Sequence, residues 1–163
     1  MFRIWVDADA CPGIVRDILL RTSKRLGIPI TFVANKPLNL SESDLVQVIQ
    51  VSAGPDVVDD YLVEYAQSGD LAVTQDIPLA DRLLSLGASV ISPYGAEFTA
   101  SNIGSRLGLR NLLQDLRDQG LASGGPRPFD DKAKQAFTNA LDRTLTRLLK
   151  AARQRKSSLE GSS

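Results

Sequence analysis

Histidine is absent from this 163-residue chain, and cysteine and methionine occur once each. Without histidine there is no Ser-His-Asp or Cys-His nucleophilic system and no His-ligated zinc centre. The single cysteine, Cys11, permits no internal disulfide and no Cys-rich metal site, which fits a reducing cytoplasm. No apolar run approaches the ~18 residues of a membrane span. The segment Met1 to Val6 is too short, and too soon followed by Asp7, to serve as a secretory signal.

Net charge is also missing: 19 Lys and Arg offset 19 Asp and Glu. The balance hides a segregated chain. Residues 1–36 hold six bases and three acids, residues 37–97 one base and ten acids, and residues 98–156 twelve bases and five acids. Neutrality here is two opposite fields on one chain, each able to act locally.

Strand and helix signals alternate over the first hundred residues. Phe2 to Val6, Ile28 to Val33, Val46 to Ser52, Leu71 to Thr74 and Ala88 to Ile91 read as short strands. Helical stripes fall between them: Ile14 to Leu26 after Pro12, Val57 to Ala66 after Gly54-Pro55-Asp56, and Leu79 to Leu86 after Pro78. The stop signals are Gly27, Gly69 and Gly87. Five strands joined by helical crossovers predict an α/β fold with a mainly parallel sheet covered on both faces. Residues 1–94 form that core. Residues 95–153, with amphipathic patterns over Ile103 to Leu116 and Ala133 to Leu149, read as a helical appendage folded onto it within the same domain. Residues 154–163 are polar and read as a disordered tail, with Leu159 to Ser163 resembling an expression remnant.

Ligands of open parallel sheets bind beyond the carboxyl ends of the strands, where the strand order reverses. The first strand ends in Asp7 and Asp9, and the fourth in Thr74-Gln75-Asp76. Asp59 and Asp60 open the helix after the third strand, and Asp81 lies five residues past Asp76. If strands one and four are neighbours, several carboxylates converge on one edge. Their repulsion is relieved by a bound cation, and oxygen-only ligands select Mg²⁺ or Mn²⁺. Such ions activate water and stabilise phosphodiester transition states. Some of these acids have plainer roles: Asp56 reads as a helix cap and Asp60 as a solvated first-turn charge.

Three other features compete. Asp7-Ala8-Asp9 resembles the opening of haloacid-dehalogenase-type phosphatases, but these also need a later lysine, and none lies between Lys36 and Lys132. Cys11 and Arg16 are one residue short of the Cys-x5-Arg phosphate loop, so Cys11 reads as a small packed residue at the strand-helix junction. Gly124-Gly125-Pro126-Arg127-Pro128-Phe129 reads as a connector seating Phe129, or as a loop carrying Arg127 over the acidic edge. Arg143, Arg147, Lys150 and Arg153 share one helix face, which suits phosphate contact or a solvated surface equally.

An ordered series of motifs is similar to one family. Val6-Asp7-Ala8-Asp9-Ala10-Cys11-Pro12 resembles the opening of the YaiI/YqxD family of uncharacterised bacterial proteins, grouped with PIN-like nuclease folds. The likeness continues through Gly54-Pro55-Asp56-Val57-Val58-Asp59, Gly69-Asp70, Thr74-Gln75-Asp76-Ile77-Pro78-Leu79-Ala80, Thr99-x-x-Asn102-Ile103 and Gly125-Pro126-x-Pro128-Phe129. Val58 and Gln75 depart from the usual pattern and leave the acids intact. The resemblance implies a PIN-like domain with an acidic, metal-dependent site that cleaves RNA. Carried over by position, Asp7, Asp59 and Asp76 hold the metal, and Asp9 or Asp81 orients the attacking water.

The expectation is therefore a cytoplasmic Mg²⁺- or Mn²⁺-dependent phosphodiester hydrolase of ribonuclease type. Arg127, Arg143, Arg147 and Lys150 are its expected backbone contacts, and RNA is its partner. Two alternatives stand beside it: a catalytically silent nucleic-acid or protein interaction module, and a hydrolase of small phosphorylated molecules.

Overall fold

A computed structural model describes residues 1–121 and 128–161, with side chains as far as Leu159. Six strands form one sheet: β1 (Ile4–Asp7), β2 (Ile30–Ala34), β3 (Val46–Gln50), β4 (Leu71–Val73), β5 (Ser89–Ile91) and β6 (Glu97–Phe98). Five helices accompany them: α1 (Gly13–Leu26), α2 (Val57–Tyr65), α3 (Ile77–Ser85), α4 (Ile103–Asp118) and α5 (Asp131–Gly161). The sheet order is β3-β2-β1-β4-β5-β6, parallel except for β6. The α/β class and the mainly parallel sheet are as the sequence predicts. The sheet has six strands where five were expected, because the two residues of β6 carry too little pattern to be read as a strand.

Alternation along the strands sorts side chains onto two covered faces. Ile4, Val6, Ile30, Phe32, Leu71, Val73 and Ile91 meet α1 and α5, whose Val15, Leu19, Phe137, Leu141, Leu145 and Leu148 complete one core. Trp5, Val33, Ala72 and Val90 point the other way, to Val58 and Leu62 of α2, Leu79 and Leu83 of α3, and Ile103 of α4. Phe32, Leu19, Leu79 and Leu83 are all almost wholly buried. Each such side chain removed from water contributes about 1.5–3 kcal/mol.

The C-terminal helices both pack on the core, α4 on one sheet face and α5 on the other. Gly95 fixes how closely the second turn of α5 approaches the end of the sheet. Its φ of 92° is left-handed, and a β-carbon there would lie 2.6 Å from the Ala136 carbonyl, so only glycine lets the helix pack this closely. From Gly95, beyond the carboxyl end of β5, α5 descends past Ser89, the first residue of β5, where Arg147 donates to the Ser89 hydroxyl at 3.1 Å. It ends beside Gly69, just ahead of β4, near the Arg155 guanidinium. Residues 154–161, read from the sequence as a disordered tail, continue this helix: Gln154, Arg155 and Lys156 are good helix formers extending an already nucleated helix.

A buried carboxylate closes the amino edge of the sheet. Asp70 is 7% exposed and accepts from the backbone N–H of Arg3 (3.0 Å), the Trp5 indole N–H (2.9 Å) and the N–H of Gln67 (2.9 Å). None of the described helices is long and apolar enough to cross a membrane.

Candidate functional site

The strand order reverses at β1, with β2 and β3 on one side and β4 and β5 on the other, and β1 pairs directly with β4. The condition on which the carboxylates converge is therefore met. Val6 is opposite Val73, so Asp7 and Thr74, one step further along each strand, face each other at the carboxyl edge. Both lie on the side of Trp5 and Ala72, the side that α2 and α3 cover.

Thr74 organises this edge. It is 1% exposed; its hydroxyl donates to Asp7 Oδ2 at 2.9 Å and accepts the backbone N–H of Asp76 at 3.0 Å. Asp76 in turn caps α3, its Oδ1 accepting from the Leu79 N–H at 3.0 Å. One oxygen thus meets a structural demand. Thr74 was not among the expected site residues. The signal that could have found it is strand parity, which puts it on the same face as Asp7.

Burial and neighbouring charge act together on these acids. Burial raises Asp7 above the ordinary carboxylate range; the Thr74 hydrogen bond opposes the shift, and the charges of Asp76 and Asp9 add to it. Asp59, half-buried in the first turn of α2, is raised to about 6, first by burial and then by Asp76, Asp7 and Asp56, with Arg82 opposing. Asp59 therefore feels the charges of both Asp7 and Asp76, and Asp7 feels that of Asp76. Asp9 is exposed and accepts from the Asn35 N–H at 2.8 Å, which ties the β1 loop to the end of β2.

The remaining predicted residues separate from this group. Asp81 is half-buried on α3 and is not among the charges that perturb Asp7 or Asp59. Asp60 pairs with Arg82 at 3.1 Å on the surface, joining α2 to α3 as a solvated pair. Asp56 occupies the N-cap position of α2 without a side-chain cap bond, and its φ of 67° is left-handed, a conformation Asp tolerates better than most residues. Cys11 is buried in the core, and burial pushes its thiol up to about 12, so it is protonated at neutral pH and not a ready nucleophile.

The basic residues of α5 lie apart from the acids. Arg143 forms an exposed ion pair with Glu97 at 3.2 Å, which engages it at the β6 edge. Arg147 and Lys150 share a surface groove with it but lie farther down α5, toward the amino edge of the sheet. The inward residues Phe137, Leu141, Leu145 and Leu148 fix the rotation of α5, and its antiparallel return fixes its direction. Together they carry the basic stripe away from the acids. Arg127 lies outside the described residues.

Hard carboxylate oxygens suit Mg²⁺ or Mn²⁺, and the mutual repulsion recorded in Asp7 and Asp59 is what a cation relieves. Among the described residues, however, no group of three or more Asp, Glu, Cys or His side chains is spaced to enclose an ion. The described residues therefore do not form an all-protein cage, and an ion here would keep several of its own waters, as Mg²⁺ usually does.

Comparison with known proteins places the chain. The model of the uncharacterised YaiI/YqxD family matches residues 5–147. A UPF0178 protein of Pseudomonas fluorescens is 50% identical over 146 residues, 90% of this chain and 97% of its own length. Relatives of the same description from Myxococcus xanthus and Syntrophobacter fumaroxidans are 51% and 47% identical over 148 residues, 91% of this chain and 97% of theirs. A solved chain described as Shewanella denitrificans Kef CTD in AMP-bound form aligns over 99% of this chain and 97% of its own. Its identity is 14% and its TM-score 0.39, too low to bear on fold or ligand. With matched motifs running from Trp5 to Arg147, the chain belongs to the YaiI/YqxD family.

Proposed function

We propose that this protein is a divalent-cation-dependent phosphodiester hydrolase of ribonuclease type, with its site at the carboxyl edge of β1 and β4. The observation that carries the reading is the joining of Asp7 to the Asp76 backbone through Thr74 at the topological switch point of the sheet, with Asp59 near enough to feel both charges. Such crowding costs stability and is retained most readily where it serves chemistry.

In this reading Asp7, Asp59 and Asp76 hold the cation, directly or through its water, and Mg²⁺ or Mn²⁺ supplies positive charge for water activation and for the phosphoryl oxygens. Thr74 holds the Asp7 carboxylate in one orientation and couples it to the start of α3. Asp76 keeps its cap while presenting its second oxygen to the edge. The repulsion that raises Asp59 in the free protein is what a cation held there would relieve. Asp9 is the remaining acid beside Asp7 and the second candidate for positioning that water. A single-stranded RNA is the substrate class, bound by its backbone.

The test is Mn²⁺-stimulated cleavage of single-stranded RNA by wild type and Asp76→Asn. Asparagine caps a helix as well as aspartate does, so the variant keeps α3 while losing the charge. Metal-dependent cleavage that falls about 100-fold or more in the variant supports the reading. Cation binding without turnover of any nucleic acid replaces it with a silent module. Turnover confined to small phosphate esters replaces it with a phosphohydrolase of metabolites.

A further inference from the structure

On the opposite side of β1 from Asp59, α1 carries a cation with no counterpart. The Arg16 side chain makes no hydrogen bond or ion pair among the described residues, and its Nε is buried with no partner. An arginine cannot shed its charge to escape this cost, and a buried donor left unmatched is unfavourable. The guanidinium folds back along the first turn of α1: a β-carbon on Gly13 would lie 3.6 Å from Nη2. β1 ends at Asp7 and α1 begins at Gly13, so Arg16, in the first turn of α1, lies at the carboxyl end of the sheet.

A cavity of about 470 Å³ opens at this point, lined by Gly13, Arg16 and Asp17 from α1 and by Pro37, Leu38, Asn39 and Leu40 from the segment after β2. The first turn of α1 adds to its positive character. No side chain caps that turn and no acidic residue lies in it, so its free N–H groups and dipole are uncompensated. Asp17 is the one acid on the lining, and it is exposed, where water screens it.

From this conjunction we infer that the Arg16 cavity is an oxyanion site that takes a phosphate group, held by the guanidinium against the start of α1. Arginine matches phosphate through paired N–H donors, and the cavity has room for more than the bare ion. The inference rests on the hydrolase reading for its substrate: the phosphate is that of an RNA backbone that reaches the same end of the sheet. It also reassigns the counter-charge. Arg16 is at the carboxyl end of the sheet, as the acids are, whereas Arg147 lies at the other.

The test is a titration of isotope-labelled protein, without divalent metal, followed by proton–nitrogen correlation spectra. The probes are inorganic phosphate and a short oligouridylate. Both are expected to move the Arg16 Nε–H and Gly13 N–H signals, the oligouridylate at lower concentration. Arg16→Gln should weaken binding about tenfold or more, equal to about 1.4 kcal/mol or more, and Arg16→Lys should keep part of it. Thermal unfolding of both variants checks that they fold. Phosphate that shifts these signals while oligouridylate does not keeps the anion site and overturns its assignment to RNA. No shift with either probe, or unchanged affinity in Arg16→Gln, overturns the site. The two readings fail separately. Absence of metal-dependent cleavage with the Arg16 shifts intact removes the hydrolase alone, and wild-type cleavage by Arg16→Gln removes this inference alone.

Discussion

Removing the charge of Asp59 should stabilise the protein, and only above the acid range. The folded-state carboxyl is raised from 3.8 to about 6, chiefly by burial and by the charges of Asp76 and Asp7. Below pH 3.8 it is protonated in both folded and unfolded chains and contributes nothing. Between about pH 4 and 6 the folded protein holds a proton that the unfolded chain releases, so wild-type stability falls as pH rises through that window. Above it the penalty is complete. At about 1.36 kcal/mol per pH unit the ceiling is near 3 kcal/mol. Asp59 is only half-buried, however, and solvent screening brings the realistic figure to about 1–2 kcal/mol. Asp59→Asn keeps the shape and abolishes the titration. Urea unfolding of wild type and variant at about pH 4 and pH 8 should give nearly equal midpoints at the lower pH and a more stable variant at the higher. An Asp59→Asn that is destabilised at pH 8, or whose difference from wild type does not change with pH, would refute the electrostatic account of this edge.

Two other substitutions probe how the sheet edges are built. Thr74→Val removes the hydroxyl that serves both Asp7 Oδ2 and the Asp76 N–H. It should cost about 1–3 kcal/mol in chemical denaturation and move the Asp7 titration further upward in carboxyl NMR. Asp70→Asn keeps one acceptor oxygen and loses the other, which now serves the Trp5 indole and the Gln67 N–H. A loss of about 2–3 kcal/mol and altered Trp5 fluorescence are expected, with cation affinity unchanged because Asp70 lies at the far edge.

What the sequence made legible is what local pattern encodes. Val, Ile and Leu runs punctuated by Gly27, Gly69 and Gly87 mark the strands and helices through Ile91. Asp7 and Asp76 stand out in the sequence because acids are poor strand formers and fall at the carboxyl ends of apolar strands, although Asp76 also serves as the cap of α3. What stayed hidden depends on contacts distant in sequence. Glu97-Phe98 becomes a strand only because β5 offers it a free edge. Asp81 shares a helix with the cap residue Asp76, but its helical phase takes it away from Asp7 and Asp59. Arg147 and Lys150 look well placed for a polyanion on a helical wheel. The direction of α5 decides otherwise, and that direction is set by Gly95 against Ala136 and by the core packing of Phe137 to Leu148. Arg16, set aside on spacing, reappears as an unpaired charge, which only the surrounding packing reveals.

The central claim is that Asp7, Asp59 and Asp76 form one cation site. Titrating Mn²⁺ into wild type, Asp7→Asn and Asp76→Asn, with free ion followed by electron paramagnetic resonance, tests it without reference to any substrate. Saturable binding by the wild type, weakened about tenfold or more in each variant, is the result this account predicts. Absence of saturable binding, or equal affinity in all three proteins, would contradict it.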